Sequence, residues 1–332
     1  MKDVAQMAGV SQKTVSRVIN NEPAVRTQVR ERVLAAAQQL GYQRNAAARD
    51  LSRGRSHRIG VVSLGTVLFG PTSILLGLER AASMAGYSVS VLTTQEGDVG
   101  GIQRAVHSLL DQGVEGIILS EPIDEGPGAT VTCPVPVVSL GRMPALRGLD
   151  VLTTGKAEGV RAGRLATKHL LELGHTTVWH VSGPQRWWTA VDRAKGWADV
   201  LSAAGADQPP MLEGDWTPRS GYEAGHKLVD STGVTAVFVA NDDMAIGVIR
   251  ALTEAGMDVP SRVSVVGVDD IPAAAYLSPA LTTVRQDFEG FARRGLESLV
   301  NLIESPDRNN HLTGPAVRLI VRQSTAPPTW EL

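Results

Sequence analysis

Apolar positions along the chain follow two different rhythms. Over the first 40 residues they recur at helical spacing: Ala5, Ala8 and Val10 supply small contacts, and Val15, Val18 and Ile19 stand at i, i+3 and i+4. Val29, Val33, Leu34, Ala37 and Leu40 form a third inward stripe. Gly9 breaks the first stripe, Ser11 offers an N-cap oxygen before a helix over Gln12 to Asn20, and Gly41 stops a helix that begins near Thr27. Three short helices are predicted. The free face of the second carries Gln12, Lys13, Ser16 and Arg17, so a tight glycine turn leads into a helix with long polar side chains, which is the helix-turn-helix arrangement.

From Arg58 onward the rhythm changes. Short apolar runs at Ile59 to Leu64, Tyr87 to Leu92, Gly116 to Leu119, Val135 to Leu140, Val178 to Val181, Ala236 to Val239 and Val263 to Val268 read as buried strands. Between most of them lie amphipathic stretches: Leu75 to Ala85, Gly101 to Leu110, Gly159 to Leu173, Ala190 to Ala204, Ser220 to Val229 and Met244 to Ala255. Strands alternating with helices predict parallel sheets covered on both faces. About 270 residues exceed one ordinary sheet unit, and the segment Gly155 to Thr177 divides them into two similar halves. The expectation is a small all-α head on an α/β core of two doubly wound lobes, with a ligand cleft at the strand C-termini. Between head and core, residues 42 to 57 are basic and poor in apolar residues, with Asn45 capping a potential helix of barely two turns that forms only when something holds it.

The formal charge of -2 becomes informative once it is divided along the chain. Residues 1 to 58 carry +7 and the remainder -9, which points to a basic nucleic-acid-binding head on an acidic body. Hydrophobic residues at 43%, charged residues at 20% and a mean hydropathy of -0.02 exclude a disordered or fibrous chain. No apolar run reaches the roughly 18 residues of a membrane span, and the opening Met1, Lys2, Asp3 does not lead into a secretory signal, so a cytoplasmic protein without a membrane partner is expected. The single cysteine, Cys133, excludes an internal disulfide or a cysteine zinc cluster. Neither a metal nor a cofactor is expected. The pairs Asp242-Asp243 and Asp269-Asp270 could suggest acid/base carboxylates, but they equally serve as strand-end caps and ligand acceptors. No G-x-S-x-G, H-E-x-x-H or G-x-G-x-x-G is present, so no catalytic residues are assigned and no enzyme is expected.

The stretches DVAQMAGVSQKTVSRVINN, LGYQRNAAARDLSRG and RIGVV, followed by HLLELGH, SGP...R..GW, EGDW...SG, VANDDMAIG, SVVGVDD and LTTVRQDF, resemble the LacI/GalR family of bacterial transcription repressors, in order and spacing from residue 3 to about 324. The resemblance implies a periplasmic-binding-protein-like core. It implies a head over 1–41, a hinge linker over 42–57, and an effector-binding and dimerisation domain over 58–332. The N-terminal lobe of that domain spans about 58–155 with a returning segment near 284–314, and the C-terminal lobe about 156–283 with 315–324. The implied partners are double-stranded operator DNA, a small effector and a second copy of the chain.

For DNA, the matching base-reading positions are Gln12, Lys13 and Arg17, whose side chains can donate to guanine or pair with adenine in the major groove. Ser11, Thr14, Ser16, Asn20 and Arg26 match positions near phosphates, which fix register. In the hinge, Asn45 and Leu51 match, with Leu51 as the minor-groove wedge. Arg44 stands where the family usually has proline, which loosens the hinge and adds a cation.

For the effector, the matching residues are Leu68, Pro71 and Ile74, then Arg193, Trp216, Asn241, Asp269, Gln286 and Phe288. Arg, Asp and Asn grasp vicinal hydroxyls while Trp or Phe packs on the C–H faces of a sugar. Five of the six tryptophans fall between Trp179 and Trp216. Trp179 and Trp197 read as core, whereas Trp187 and Trp188, after Gly183-Pro184, read as pocket residues. Gly141 occupies a position where the family often has Asp, so one polar contact is missing. A sugar-binding transport protein shares the two-lobed fold, but the basic head argues against it. A purine-like corepressor in place of a sugar inducer remains open, as does the sign of the response. The chain ends at Leu332 after Ala326-Pro327-Pro328 without a leucine heptad, so a homodimer on a pseudo-palindromic site is expected rather than a tetramer.

Overall fold

The computed structural model describes residues 1–19, 22–23, 25–42, 55–98, 100–120, 123, 133–141, 152–153, 158–304 and 317–329. The expected DNA contacts Asn20, Asn45 and Leu51, and the departure at Arg44, lie outside these residues. The chain divides into two compact units, 1–56 and 57–332.

The first unit contains α1 (Lys2–Ala8), α2 (Gln12–Ile19) and α3 (Thr27–Gln39). Gly9 ends α1 with φ at 62°, a left-handed conformation that lets its N–H reach Gln6 O and the Val10 N–H reach Ala5 O. Ser11 caps α2, its Oγ accepting from Thr14 N at 3.1 Å. The three helices close over a small core of Val4, Ala5, Ala8, Val15, Val18, Val33 and Ala36. Two residues of the expected third stripe turn outward: Leu34 is 51% exposed and Leu40 42%. The buried face of α3 centres on Val33 and Ala36, flanked by Val29 and Ala37, so Leu34 lies a quarter turn off it.

In the second unit the first lobe holds β1 (Arg58–Leu64), α4 (Phe69–Met84), β2 (Ser88–Thr94), α5 (Gly101–Asp111), β3 (Gly116–Ser120), β4 (Val137–Ser139) and β5 (Leu152–Thr153). The five strands are parallel, in the order β2-β1-β3-β4-β5. The second lobe follows with α6 (Glu158–Glu172), β6 (Trp179–Ser182), α7 (Trp188–Ala204), β7 (Leu212–Glu213), α8 (Pro218–Val229), β8 (Ala236–Val239), α9 (Asp242–Glu254), β9 (Ser264–Asp269) and β10 (Thr282–Arg285). Gln286 and Asp287 carry the chain from β10 to α10 (Phe288–Glu304), which packs Ala292, Leu296 and Leu299 onto the first sheet with Ile59, Val61, Ile118 and Val138. The chain then supplies β11 (Arg318–Ile320) to the second sheet, whose order is β11-β10-β9-β8-β6-β7 with only β10–β11 antiparallel.

Both sheets reverse strand order beside a central strand, at β1/β3 in the first and β6/β8 in the second. Loops leaving the carboxyl ends at such a reversal diverge and open a crevice. Helix packing then fixes what faces that crevice. Gly163 and Gly196 let α6 and α7 approach backbone to backbone, since a Cβ at either would stand 2.2 or 2.1 Å from a carbonyl oxygen of the other helix. That close approach buries the α7 face bearing Arg193. Among the described residues, no helix is long and apolar enough to cross a membrane.

Candidate functional site

On the head, Gln12, Lys13 and Arg17 are exposed on one side of α2, and Ser11 and Arg26 are exposed at its start and just before α3. Thr14 and Ser16 are half-buried, and the Thr14 hydroxyl shares a 2.9 Å hydrogen bond with Ser11. Arg17 Nε lies 3.5 Å from Glu22, whose backbone oxygen accepts from Arg30 at 2.6 Å. The buried face of the same helix holds Val15 and Val18, so one side anchors and the other presents donors.

In the core, the nine residues matched to effector contacts, and Trp187 and Trp188, line one cavity of about 150 Å³. Leu68, Pro71 and Ile74 come from the loop after β1 and the start of α4; Gln286 and Phe288 come from the crossover into α10. The second lobe contributes Trp187, Trp188 and Arg193 around α7, Trp216 before α8, Asn241 capping α9 and Asp269 ending β9.

On the polar edge of this cavity, two sets of hydrogen bonds centre on Asp269 and on Asn241. Arg193 Nη1 donates to Ala240 O at 2.5 Å and Nη2 to Asp269 Oδ1 at 3.3 Å, and Gln286 Nε2 donates to the same carboxylate oxygen at 2.7 Å. Asn241 Oδ1 caps α9 by accepting from Met244 N at 3.0 Å, while its Nδ2 donates to Trp216 O at 3.0 Å. Burial pushes the Asp269 carboxyl up to about 6, against the opposing pull of Arg193 and Gln286. Asp242, beneath it, is pushed to about 8 by burial and by the charge of Asp269; it braces the strand ends by accepting from Thr283 Oγ1 at 2.6 Å and Ile271 N at 2.9 Å. Asp270 is held by Arg285 at 2.5 Å and Arg322 at 2.6 Å. Of the four paired aspartates only Asp269 lines the cavity.

The apolar walls are aromatic. Trp187 and Trp216 meet edge to face with centroids 5.5 Å apart, Phe69 and Phe288 at 5.9 Å, and the Arg193 guanidinium lies 5.7 Å from the Trp216 ring centroid. Trp197 is core, its Nε1 donating to Val178 O at 2.7 Å, and Trp179 packs against the apolar cluster of the second lobe. Gly183 is required here, because a Cβ on it would stand 2.2 Å from the Trp216 ring. Backbone strain gathers at the same place: Trp216 has φ at 74° and Asp269 at 111°, left-handed values that cost about 1–3 kcal/mol each in non-glycine residues and persist where the surroundings over-determine them.

The cavity also takes in Phe69, Ser120, Glu158, Asp192 and Asp287, which the sequence reading did not single out, and Gly141. Asp192 and Asp287 adjoin Arg193 and Gln286, so adjacency alone could have flagged them. Glu158, in the first turn of α6, reads from sequence as an ordinary partner of the helix dipole.

A head that presents a donor-rich helix and a two-lobed core enclosing a polar and aromatic cavity together define a DNA-binding regulator with a ligand-binding core. A model of the lacI family of bacterial regulatory proteins matches residues 1–45, and one of a periplasmic binding protein-like domain matches residues 167–325. The lactose operon repressor of Escherichia coli (strain K12) is 33% identical over 335 residues, covering 99% of this chain and 91% of that protein. The crystal structure of the Lac repressor dimer bound to operator and the anti-inducer ONPF is similar at a TM-score of 0.85 and 32% identity, over 98% of each chain. The complex of the transcriptional regulator CelR with cellobiose is similar at 0.70 and 30%, over 97% of this chain and 98% of that one. The chain belongs to the lacI family of bacterial regulatory proteins, and is a DNA-binding transcriptional repressor.

Proposed function

We propose that this repressor works as a homodimer whose operator affinity falls when a sugar or glycoside enters the core cavity. The buried Arg193–Asp269–Gln286 edge, set against tryptophan and phenylalanine walls, carries this reading. Planar bidentate groups match vicinal hydroxyls, and aromatic faces match the C–H faces of a pyranose. The similarity to proteins named for lactose and solved with cellobiose supports it. The cavity lies between the lobes, so an occupant that prefers one lobe arrangement shifts the repressor by its differential affinity, commonly about 1–3 kcal/mol.

A panel of mono- and disaccharides tests the proposal by thermal stabilisation. A saturating sugar near 100 times its Kd adds roughly 2.7 kcal/mol, and the same sugar is expected to weaken operator binding by about 5- to 150-fold. Stabilisation by no sugar would sink the reading, and tighter operator binding with sugar would make the occupant a corepressor.

On the head, Gln12, Lys13 and Arg17 read bases while Ser11, Thr14, Ser16 and Arg26 lie along phosphates. Arg17→Ala is expected to cost about 1–3 kcal/mol of operator affinity and to relax preference at one base position. Equal losses on operator and on random DNA, in a competition assay against single-base operator variants, would assign Arg17 to the phosphates instead.

A further inference from the structure

One loop of the second lobe reaches the first lobe beside the cavity through two contacts. Arg186 Nη1 stands 3.0 Å from Glu96 Oε1, just beyond β2 in the first lobe. The next residue, Trp187, forms an isolated antiparallel bridge with Ile123, beyond β3. Ile123 is buried in the same apolar cluster as Trp187 and Trp216, so the seam between the lobes runs through this loop. The loop is braced from below: Trp187 N donates to Pro184 O at 2.9 Å, Gln185 N to Glu213 Oε1 at 3.1 Å, and Gln185 Nε2 to Ser182 Oγ at 3.0 Å.

The loop also touches the cavity, through Trp187 and Trp188, with Trp187 against Trp216. An indole N–H only donates. The Nε1 atoms of all three rings, and Nε of Arg193, are buried with no acceptor among the described residues. Buried donors without acceptors carry an unreturned desolvation cost, and the surface these four share is the cavity.

We propose that the loop Pro184–Trp188 is a clasp that converts occupancy of the cavity into lobe closure, with Trp187 as its specificity-determining residue. An occupant that accepts from the Trp187 indole holds this ring in place. The same residue's main chain then keeps its bridge to Ile123, and Arg186 keeps Glu96. The donors favour a molecule with several acceptor oxygens, including the ring and linkage ether oxygens of a glycoside. The identity of the occupant rests on the sugar-sensing reading above; the clasp does not.

Hydrogen exchange of segment 185–188 in the full-length, unliganded protein reads the clasp. Glu96→Arg is expected to speed exchange there about two- to five-fold, the range for a half-exposed ion pair. Combining it with Arg186→Glu should restore the parent rate, which a merely structural role of either residue would not do. Calorimetric titration with lactose and with cellobiose reads Trp187, because Trp187→Phe keeps an aromatic ring and removes the N–H. The variant should bind whichever disaccharide the parent binds at least tenfold more weakly, with an unchanged unfolding midpoint. Exchange untouched by Glu96→Arg, or not restored by the double reversal, would overturn the clasp; parent-like binding by Trp187→Phe would overturn its role in specificity. If neither disaccharide binds the parent, the glycoside preference falls together with the sugar-sensing reading, and the exchange result still decides the clasp.

Discussion

Asp269→Ala is expected to uncouple the repressor from its sugar while leaving the operator-binding surface intact. Arg193 and Gln286 both donate to Asp269 Oδ1, and the Arg193 side chain is only 6% exposed. Removing the carboxylate leaves a guanidinium buried beside an unpaired amide, a situation that costs about 3–5 kcal/mol in other proteins. The core should therefore lose stability along with the sugar contact, whereas the head, a separate compact unit with its own core, keeps Gln12, Lys13 and Arg17 in place. Asp269→Asn separates the two effects, because it retains an acceptor for Gln286 and loses only the charge. We expect sugar affinity about 10- to 100-fold weaker in the Asn variant, from weakened charge-assisted hydrogen bonds. Operator affinity without sugar should match the parent. The parent should show a matching pH dependence: sugar binding steady above pH 7 and weakening as pH falls through about 6, where Asp269 takes up its proton. Operator titrations with and without sugar, for parent and both variants, decide it. A sugar response in Asp269→Asn equal to the parent's would place the sugar elsewhere in the cavity.

How far such a site is legible in sequence depends on how local its causes are. The seven apolar runs and six amphipathic stretches form strands and helices, and the central strands, buried on both faces, carry runs of four to six residues; Tyr87 to Leu92, expected to be buried, instead forms the edge strand β2, with Ser88, Val91 and Thr93 exposed. β10 and β11 do not stand out from a loop: Thr282–Arg285 holds one apolar residue, Val284, and Arg318–Ile320 is three residues long. Leu34 was expected inward because leucine dominates a helical stripe; in a core made of valine and alanine there is no room for it beside Val33 and Ala36. Trp187 and Trp188 were separable from Trp179 and Trp197 because a Gly-Pro pair marks a loop and loops line clefts. Invisible in sequence were the consequences of distant packing. Nothing near Trp216 announces its left-handed backbone, and nothing near Asp242 announces that burial and the charge of Asp269 would raise its carboxyl. Glu96 and Arg186 lie 90 positions apart, each an ordinary surface charge until the two lobes meet.

His180 gives the core an acid-sensitive element that a single substitution should remove. It lies on β6, fully buried, stacked on the Phe238 ring at 4.5 Å and tilted against Trp197 at 5.3 Å. Its Nδ1 is bonded to Phe238 O at 2.9 Å, and its Nε2 is buried without a partner among the described residues. Burial lowers its pKa to about 4; the Phe238 carbonyl opposes the shift and the charge of Arg193 adds to it. The native imidazole is therefore neutral where an unfolded one, near 6.5, is already taking up protons. Stability from this group is fully present above pH 6.5 and is lost as pH falls toward 4, about 3 kcal/mol across that window. Asp269 and Asp242 act with the opposite sign: their pKa values are raised to about 6 and about 8, so their contributions are present at low pH and are lost as pH rises through those values. The parent's own stability profile is flattened by this opposition, and the difference between parent and variant is the quantity to measure. His180→Phe keeps the aromatic stack that seats α7, and with it Arg193, while removing the titrating group. Urea denaturation at a series of pH values should show the variant gaining about 3 kcal/mol on the parent between pH 7 and pH 4, with sugar affinity at pH 7 unchanged. A stability difference independent of pH would mean that His180 titrates normally, and that water reaches the strand beneath Arg193.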